Sequence, residues 1–225
     1  MGETFKKDSI RTIEKGLLEN TFVYQMAIKD VTDRLDKIGK RLHSVNKHRY
    51  IHQVYSRIKT ASSIVEKLQR KGFPVSTQSA WENLYDVGGI RVVCPFIEDV
   101  YTIVDEIKAV YPNSVVYERD YISQPKDNGY RSYHMGLEMP EYITVRKDDY
   151  TDMVEQTQVK IEIQFRTLAM EFWASLEHSI YYKARGTMDV ATQVELKTCA
   201  DIIADADSRM QHISDRVNSK RGFLS

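Results

Sequence analysis

The stretch PKDNGYRSYHM, residues 125–135, combines turn-forming, basic and aromatic side chains. Its first half favours a turn, and the following RSYHMGLEM alternates polar with apolar residues, so a loop that leads into a strand is predicted. Lys126 and Arg131 flank the turn, Tyr130 offers an aromatic face, and His134 falls on the polar face of the strand. This combination suits a ligand that is both phosphorylated and aromatic, although an ordinary basic surface turn has the same composition.

Two carboxylates stand where a sheet could present them to a metal ion. Asp86 directly precedes the predicted strand GIRVVCPFI, beside Gly88 and Gly89, which let a backbone or a ligand approach closely. Because Mg²⁺ is usually held by one or two carboxylates and by substrate phosphates, Asp86 is a natural candidate ligand. Glu162 lies in VKIEIQFRT, where period-two alternation places it on a polar face with Gln164. The structural alternatives are a turn aspartate and a solvated strand face.

Basic residues surround a helix predicted at residues 61–71. The set comprises Arg57, Lys59, Lys67, Arg70 and Lys71, with Glu66 the only acid among them. Helical spacing puts Lys67 and Arg70 on one face, which is also typical of a solvated helix. Arg57 and Arg91 carry planar guanidinium groups that stack on bases and grip phosphate, so they could hold a nucleotide. The sequence contains no GxxxxGK[ST] or GxGxxG motif, so an ATP site would have to use side chains rather than a glycine-rich loop.

The overall charge argues against a general polyanion binder. Lys plus Arg and Asp plus Glu are equal at 32 each, so neither nucleic acid nor an anionic membrane would be attracted by net charge. RNA binding is therefore not indicated by the charge. No apolar run approaches the length of a membrane span and the N-terminus lacks the apolar core of a signal peptide, so a cytoplasmic protein is expected.

Cysteines and histidines give weaker signals. Cys94 and Cys199 lie far apart in the sequence and are predicted to be buried thiols, with their pairing left open. His48 and His52 are four residues apart, a spacing compatible with a metal ion, but no third ligand is evident near them.

Periodicity predicts an α+β fold, with a small mixed sheet and helices packed on it and at both ends of the chain. Apolar positions recur at helical spacing from Ile10 to Leu42 with an interruption at residues 16–20, which predicts one long helix, or a short helix followed by a long one. A second helix at residues 61–71 ends at Gly72 and Pro74. A helical or irregular piece around WENLYD, a buried strand GIRVVCPFI and a helix VYTIVDEIKAVYP follow.

The second half of the chain contributes more strands and two further helices. SVVYERDYI, RSYHMGLEM and VKIEIQFRT are predicted strands, and helices begin at Leu168 and at about Val190. The charged segment at residues 142–158 is either a long excursion or a hairpin. We expect one domain, with an N-terminal helical extension at residues 1–50, a core at residues 51–185 and a C-terminal helix at residues 186–225.

Three segments, in this order, resemble the synthetase domain of the RelA/SpoT family: YDVGGIRVV, RDYISQPKDNGYRSYH and IEIQFRTLAMEFWASLEHSIYYK. The similarity extends upstream to RIKTASSIVEKLQRKG and covers roughly residues 50–185. Agreement of several motifs in order and spacing is far more specific than a single pattern. The short chain with helical flanks resembles the small alarmone synthetases. The resemblance implies a nucleotidyltransferase-like fold and transfer of pyrophosphate from ATP to the ribose 3′-hydroxyl of GDP or GTP, which yields ppGpp or pppGpp and AMP in the stringent response.

The resemblance also implies a role for each candidate residue. Arg57 and Arg91 match the pair that sandwiches adenine, and Lys59, Lys67 and Arg70 match positions that hold the phosphates of ATP. Asp86 matches the Mg²⁺ ligand, and Glu162 matches the glutamate proposed to activate the 3′-hydroxyl and touch the metal. The residues implied for the acceptor nucleotide are Tyr130, on which guanine stacks, with Lys126, Asn128, His134, Gln164 and Arg119.

The resemblance further implies a homotetramer that associates through the terminal helices. No hydrolase activity is expected, because the chain contains no His-Asp dipeptide. Two alternatives remain at this point: a non-catalytic module that binds guanine nucleotides or single-stranded RNA, and a different nucleotidyl or phosphoryl transferase on the same fold. Asp86 and Glu162 argue against a pure anion binder, which gains nothing from carboxylates near phosphate. If the segment at residues 142–158 folds near the site, it would affect product preference.

Overall fold

A computed structural model describes residues 2–146, 152–184 and 188–222 and contains, over those residues, six helices and five strands. In chain order the elements are α1 (Gly2–Asn46), β1 (Gln53–Ile58), α2 (Ala61–Lys71), α3 (Thr77–Asn83), β2 (Gly88–Cys94), α4 (Ile97–Val110), β3 (Val115–Asp120), β4 (Tyr133–Arg146), β5 (Asp152–Thr167), α5 (Leu168–Lys183) and α6 (Val190–Gly222).

The strands form one mixed sheet in the order β1-β2-β5-β4-β3. Neighbouring strands are antiparallel except β2 and β5, which run parallel. A parallel pair requires a crossover between its strands, and the chain supplies it through α4, β3 and β4. The predicted α+β class with a mixed sheet and packed helices is thereby confirmed.

Helices cover one face of the sheet. Alternate residues of the central strands, such as Ile90, Ile163 and Leu137, are almost completely buried on this face, and α1 and α4 pack against it. Their buried side chains form one continuous core, to which α1 contributes residues from Ile13 to Leu42. Because burial of a large aliphatic side chain contributes about 1.5–3 kcal/mol, this layer fixes the sheet and leaves its opposite face available for a site.

Helix α1 runs without a break from Gly2 to Asn46, so the interruption predicted at residues 16–20 is absent. A side chain at Gly16 would overlap Thr77 at the start of α3. Gly16 therefore serves close packing between two helices, which explains why the apolar pattern weakens there without ending the helix.

Helix α2 has the predicted boundaries, and both ends are capped. The Thr60 hydroxyl accepts a hydrogen bond from the backbone N–H of Ser63, and Gly72 adopts a left-handed conformation with φ of 72°. Such caps satisfy backbone groups that a helix leaves unpaired and favour glycine at the C-terminal position. Ala61, Ile64, Val65 and Leu68 are buried, which leaves the basic face of the helix directed away from the core.

Strand β1 was not predicted from the sequence. Gln53–Ile58 forms the edge of the sheet and is mostly exposed, so its apolar alternation is weak. It places Arg57 directly opposite Gly89 of β2.

The spacing of His48 and His52 does not create a metal site on a helix, because α1 ends at Asn46. His48 Nε2 instead lies 2.7 Å from Asp99 Oδ1 at the start of α4. Within residues 2–146, 152–184 and 188–222, no group of three or more His, Cys, Asp or Glu side chains could hold a metal ion.

The charged segment at residues 142–158 belongs to a long hairpin. Strands β4 and β5 continue their antiparallel pairing as far as Arg146 opposite Asp152, and residues 147–151 lie outside the described residues. Because a strand rises about 3.3 Å per residue, the end of this pairing lies about 30 Å along β5 from Glu162. The hairpin extends away from the candidate residues at positions 162–166.

The two cysteines lie in different environments. Cys94 is buried as predicted, whereas Cys199 is exposed on α6, and both thiols are free. The prediction of a buried Cys199 was wrong because α6 buries few residues against the rest of the chain, Ala200 among them. None of the helices in the described part of the chain combines the length and apolar character needed to cross a bilayer.

Candidate active site

The open face of the sheet carries polar side chains in register across all five described strands. Residues directly opposite each other on neighbouring strands project to the same face, so the register identifies which side chains meet. From the β1 edge to the β3 edge the row consists of Tyr55 and Arg57, Gly89 and Arg91, Glu162 and Gln164, Gly136 and His134, and Tyr117 and Arg119.

A cleft opens over the half of this face formed by β1, β2 and β5. It is lined by candidate residues from all three strands and by the residue that precedes β2, namely Arg57, Asp86, Arg91, Glu162 and Gln164. The two acids that the sequence singled out therefore face one cleft. Gly89 lies on its floor, where a Cβ would meet only the Arg57 carbonyl oxygen at 3.9 Å, so the backbone there is open to a ligand.

Asp86 is held between two lysines from different elements. Lys59 Nζ, just after β1, lies 2.7 Å from Oδ2, and Lys67 Nζ, on α2, lies 2.6 Å from Oδ1. Burial alone would raise the pKa of Asp86, but the two ammonium groups outweigh it and lower the pKa. The aspartate is therefore ionised at neutral pH, and the lysines bring positive charge to the cleft. Arg70 lies exposed near the end of α2.

Glu162 occupies the centre of the polar row. Its carboxylate accepts hydrogen bonds from the Tyr117 hydroxyl at 2.6 Å and from Gln164 Nε2 at 2.8 Å, and His134 Nδ1 lies 3.6 Å away. Burial favours the neutral acid, yet the contacts with His134, Tyr117 and Gln164 prevail and hold the pKa far below the usual range of a glutamate. Glu162 is thus a permanently charged acceptor at the centre of the sheet.

The predicted acceptor loop follows β3 and positions Tyr130 above the other half of the face. The Tyr130 hydroxyl lies 2.8 Å from His134 Nε2 and accepts a hydrogen bond from Arg166 NH2 at 2.7 Å. Lys126 Nζ lies 4.8 Å from the centre of the Tyr130 ring and 4.7 Å from that of Tyr121. These contacts place an aromatic ring and a cation next to His134, which itself lies beside Glu162.

Asn128, Arg119 and Arg131 lie in three different environments. Asn128 Oδ1 accepts a hydrogen bond from the Tyr130 backbone N–H at 3.1 Å and so shapes the loop. Arg119 is exposed, with its guanidinium carbon 5.3 Å from the centre of the Tyr117 ring. Arg131, which the sequence placed at the flank of the ligand loop, lines a separate cavity against α6, with NH2 3.9 Å from Asp201 Oδ1.

Of the two arginines in the cleft, Arg91 is held by an ion pair and Arg57 is exposed. Arg91 NH1 lies 2.7 Å from Glu171 Oε1 on α5, so its guanidinium is held in place. Arg57 is exposed on the edge strand at the opposite wall of the cleft. A flat ring that entered between them would meet one fixed and one adjustable guanidinium plane.

Four contributors to the site were missed by sequence reasoning. They are Tyr117, Tyr121, Arg166 and Glu171. Tyr117 shares the period-two alternation of β3 with Arg119, and Arg166 shares that of β5 with Glu162, so both faces were predictable. Glu171 lies on α5, and nothing in the sequence indicates that a helix reaches this face.

The chemistry of the site fits a magnesium ion bound together with a phosphorylated substrate. Asp86 and Glu162 offer hard oxygen donors on one cleft, and the surroundings keep both ionised. Two carboxylates with substrate phosphates are the usual ligands of Mg²⁺ in transferases. Lys59 and Lys67, which pair with Asp86, bring positive charge to the same region.

Comparison with known proteins identifies close relatives of this chain. Residues 56–187 match the model of a region found in RelA/SpoT proteins. The chain is 36% identical over 211 residues to the GTP pyrophosphokinase YwaC of Bacillus subtilis, covering 94% of this chain and 96% of the relative. It is 31% identical over 202 residues to the GTP pyrophosphokinase YjbM of the same organism, covering 90% of each.

Solved structures of two relatives superpose on the fold. The crystal structure of small alarmone synthetase 2 from Bacillus subtilis gives a TM-score of 0.74 at 38% identity and covers 89% of this chain and 99% of that chain. That of small alarmone synthetase 1 bound to its product pppGpp gives a TM-score of 0.75 at 30% identity, covering 89% and 98%.

Proposed function

The chain belongs to the RelA/SpoT family, and we propose that it is a GTP pyrophosphokinase that makes the alarmones ppGpp or pppGpp. Pyrophosphate passes from ATP to the ribose 3′-hydroxyl of GDP or GTP. A bond forms between the 3′-oxygen and the β-phosphorus of ATP, the bond from that phosphorus to the α,β-bridging oxygen breaks, and AMP leaves. The hydroxyl proton passes to an acceptor.

One observation carries this proposal: the sheet places an arginine pair and a tyrosine–histidine pair on opposite sides of Glu162. Arg57 and Arg91 lie towards the β1 edge, whereas Tyr130 and His134 lie towards the β3 edge. A base held between arginines on one side and a base stacked on tyrosine on the other would bring triphosphate and ribose together at the centre. Proximity of this kind supplies much of the acceleration in transfer between two bound substrates.

On the donor side, Arg57 and Arg91 would sandwich adenine, and Lys59, Lys67 and Arg70 would bind the phosphates. The two lysines are paired with Asp86, which lines the cleft, and they would compensate the charge that develops on the transferred group. A bound Mg²⁺, held by Asp86 and Glu162, would neutralise the triphosphate and activate its β-phosphorus. On the acceptor side, Tyr130 would stack on guanine, with Lys126, Asn128, His134, Gln164 and Arg119 around the nucleotide.

Glu162 would accept the hydrogen bond of the 3′-hydroxyl and orient it for attack. Its lowered pKa makes this carboxylate a weak base, so we expect its main contribution to be the position of the hydroxyl and the negative charge beside it. This suits a loose phosphoryl-transfer transition state, in which positioning and charge compensation contribute more than deprotonation.

A direct product assay tests the function. The protein is incubated with ATP labelled at the γ-phosphate, Mg²⁺ and either GDP or GTP, and the nucleotides are separated by chromatography. The proposal requires the label in a guanosine nucleotide with release of AMP, and omission of the acceptor must abolish AMP release. Label in free phosphate or pyrophosphate alone would contradict it. A second incubation with ppGpp and without ATP tests the proposed absence of hydrolase activity.

We also propose that the chain assembles into a homotetramer through its terminal helices. The C-terminal helix α6 exposes apolar side chains that a partner would cover, namely Val194, Ile202, Met210, Ile213 and Val217. Light scattering coupled to gel filtration measures the mass in solution. We also propose that the single domain consists of an N-terminal extension at residues 1–50, a core at residues 51–185 and a C-terminal helix. Helix α1 of the extension packs into the main core.

A further inference from the structure

Glu171 joins two arginines that come from different strands. It lies in the first turn of α5, and its Oε1 lies 2.7 Å from Arg91 NH1 while its Oε2 lies 2.8 Å from Arg166 NH1. The carboxylate is 18% exposed and the Arg166 side chain only 6%, so water screens these contacts weakly. One side chain therefore restrains two guanidinium groups at once.

The restraint continues from Arg166 into the acceptor pocket. Arg166 NH2 donates to the Tyr130 hydroxyl at 2.7 Å and to Gln164 Oε1 at 3.1 Å, and its guanidinium carbon lies 5.1 Å from the centre of the Tyr130 ring. Gln164 in turn donates to Glu162. A continuous set of charge-assisted contacts thus runs from Arg91, on the donor side, to Tyr130, on the acceptor side.

We propose that Glu171 is a positioning residue that couples the two nucleotide pockets, an inference that rests on the proposed function. A donor base packed on Arg91 further limits the motion of that guanidinium and, through the shared carboxylate, the motion of Arg166 and of the tyrosine that it contacts. The side chains that contact the acceptor are then already ordered, so binding of the acceptor costs less conformational entropy. Since coupling between two sites is reciprocal, the acceptor strengthens donor binding by the same factor.

A purely structural role for Glu171 makes a different prediction. A carboxylate in the first turn of a helix stabilises the helix, and it also compensates the buried Arg166 and the half-buried Arg91. Loss of those effects would lower stability and weaken both nucleotides separately. It would not change the factor by which one nucleotide tightens the binding of the other. We call this factor the ratio: the affinity measured with the other nucleotide present, divided by the affinity measured without it. The ratio therefore distinguishes the two roles.

The ratio is measured by calorimetric titration of GDP in the absence and the presence of saturating α,β-methylene ATP with Mg²⁺. The methylene group replaces the bridging oxygen whose bond must break, so both pockets fill without turnover. For the unaltered protein we expect the ATP analogue to tighten GDP binding by about 5–150-fold, the usual range of coupling between sites. In E171Q, which loses the charge that both arginines share, the ratio should fall to near one.

Ser175 provides the matched control, because its hydroxyl donates to Glu171 Oε1 at 3.0 Å from the next turn of α5. S175A removes a neighbour of the same carboxylate that belongs to neither pocket, and it should retain the ratio. E171D serves as a second variant, since it keeps the negative charge between the arginines but is one methylene too short to reach both. It too should lose most of the ratio, and circular dichroism shows that each variant is folded.

Two results would overturn the inference: a ratio of one in the unaltered protein, or an unchanged ratio in folded E171Q or E171D. Neither result depends on turnover. If the unaltered protein makes the labelled product while E171Q keeps the ratio, the coupling role fails and the proposed function stands. If both nucleotides bind with a ratio that E171Q abolishes but no product forms, the proposed reaction fails and the coupling stands.

Discussion

Asp86 and Glu162 line the same cleft although they belong to different elements, one just before β2 and the other in the middle of β5. The parallel pairing of β2 and β5 places Gly89 directly opposite Glu162 and so brings the two acids to one end of the face. Each acid is kept ionised by its own partners, lysines for Asp86 and a tyrosine, a glutamine and a histidine for Glu162. Two buried carboxylates on one cleft would repel each other, and these partners offset that cost.

The Glu162→Gln variant should lose activity while it keeps nucleotide binding. Glutamine retains the shape of the side chain and still accepts a hydrogen bond from Tyr117, but it loses the charge that we propose binds metal and accepts the proton. We expect the turnover rate to fall by at least about 10²-fold, the lower range for loss of a group that assists proton transfer. AMP release measures turnover, and titration with the ATP analogue measures binding. Full activity of this variant would exclude a role for the carboxylate in the reaction.

Two substitutions at Tyr130 should separate its ring from its hydroxyl. Tyr130→Ala removes the stacking surface and should weaken GDP binding by about 1–3 kcal/mol, with a smaller effect on ATP. Tyr130→Phe keeps the ring and loses only the contacts with His134 and Arg166, so GDP affinity should fall less. Separate titrations of each nucleotide measure both effects. Equal weakening of ATP and GDP by Tyr130→Ala would contradict the assignment of this pocket to the acceptor.

Sequence periodicity predicted the faces of the strands but not their order. Alternation placed Glu162 and Gln164 on a polar face and His134 opposite Met135, and the structure agrees. It could not indicate that β5 lies between β2 and β4, because register and strand order depend on long-range packing. The two halves of the site, which the register brings together, were recognised only through the family resemblance.

The elements that sequence missed share a physical cause. Strand β1 is an exposed edge strand, so its side chains do not alternate between core and solvent in a way that composition reveals. Glu171 could not be predicted as a site residue, because its role depends on a tertiary contact. In the sequence, an acidic residue in the first turn of a helix is explained by the helix alone. The sequence did not decide between a hairpin and a long excursion at residues 142–158, because a charged segment does not show the apolar alternation that identifies a strand.

The Asp86→Asn variant should lose stability in a pH-dependent way. At neutral pH it leaves Lys59 and Lys67 together without their counter-charge, at an expected cost of about 1.5–3 kcal/mol in the free energy of unfolding. The pKa of Asp86 is lowered in the folded chain, so its stabilisation is present above the usual value of 3.8 and is lost as pH falls through the folded pKa. The difference from the unaltered protein should therefore shrink towards pH 3.

Urea unfolding at several pH values measures this difference. Asp33→Asn is the matched control, because Asp33 pairs with Lys29 at 2.5 Å on the exposed surface of α1. An exposed pair of this kind contributes little to stability, so the control should differ little from the unaltered protein at any pH. A difference for Asp86→Asn that grows as the solution becomes more acidic would contradict the expected direction.

Gly136→Ala should disturb Glu162 indirectly. A Cβ at position 136 would overlap the ring of Tyr117, which packs over this glycine and donates its hydroxyl to Glu162. Displacement of the ring should cost about 1–3 kcal/mol of stability through overpacking and should lower turnover. Tyr117→Phe is the matched control, since it removes the hydroxyl without the overlap. It should lower turnover while the urea midpoint stays close to that of the unaltered protein. Unaltered turnover in Gly136→Ala would show that the Tyr117 contact is dispensable.

Gly129 packs the loop that we assign to the acceptor nucleotide closely against α6. Its φ of 86° lies in the left-handed region, and a Cβ there would overlap the Cβ of Ala200. Gly129→Ala should therefore lose stability both from the backbone conformation, at about 1–2 kcal/mol, and from the overlap. Because Gly129 adjoins Tyr130, the KM for GDP should rise more than the KM for ATP.

A double variant separates the two causes. Ala200→Gly alone should cost about 1 kcal/mol, the usual penalty for glycine inside a helix, but combined with Gly129→Ala it removes the overlap. The double variant should then be more stable than the sum of the two single changes predicts, because the overlap is gone and only the backbone cost of position 129 and the helix cost of position 200 remain. Urea unfolding of the four proteins yields this interaction energy. Strictly additive losses, with an unchanged KM for GDP, would mean that α6 does not hold the acceptor loop in place.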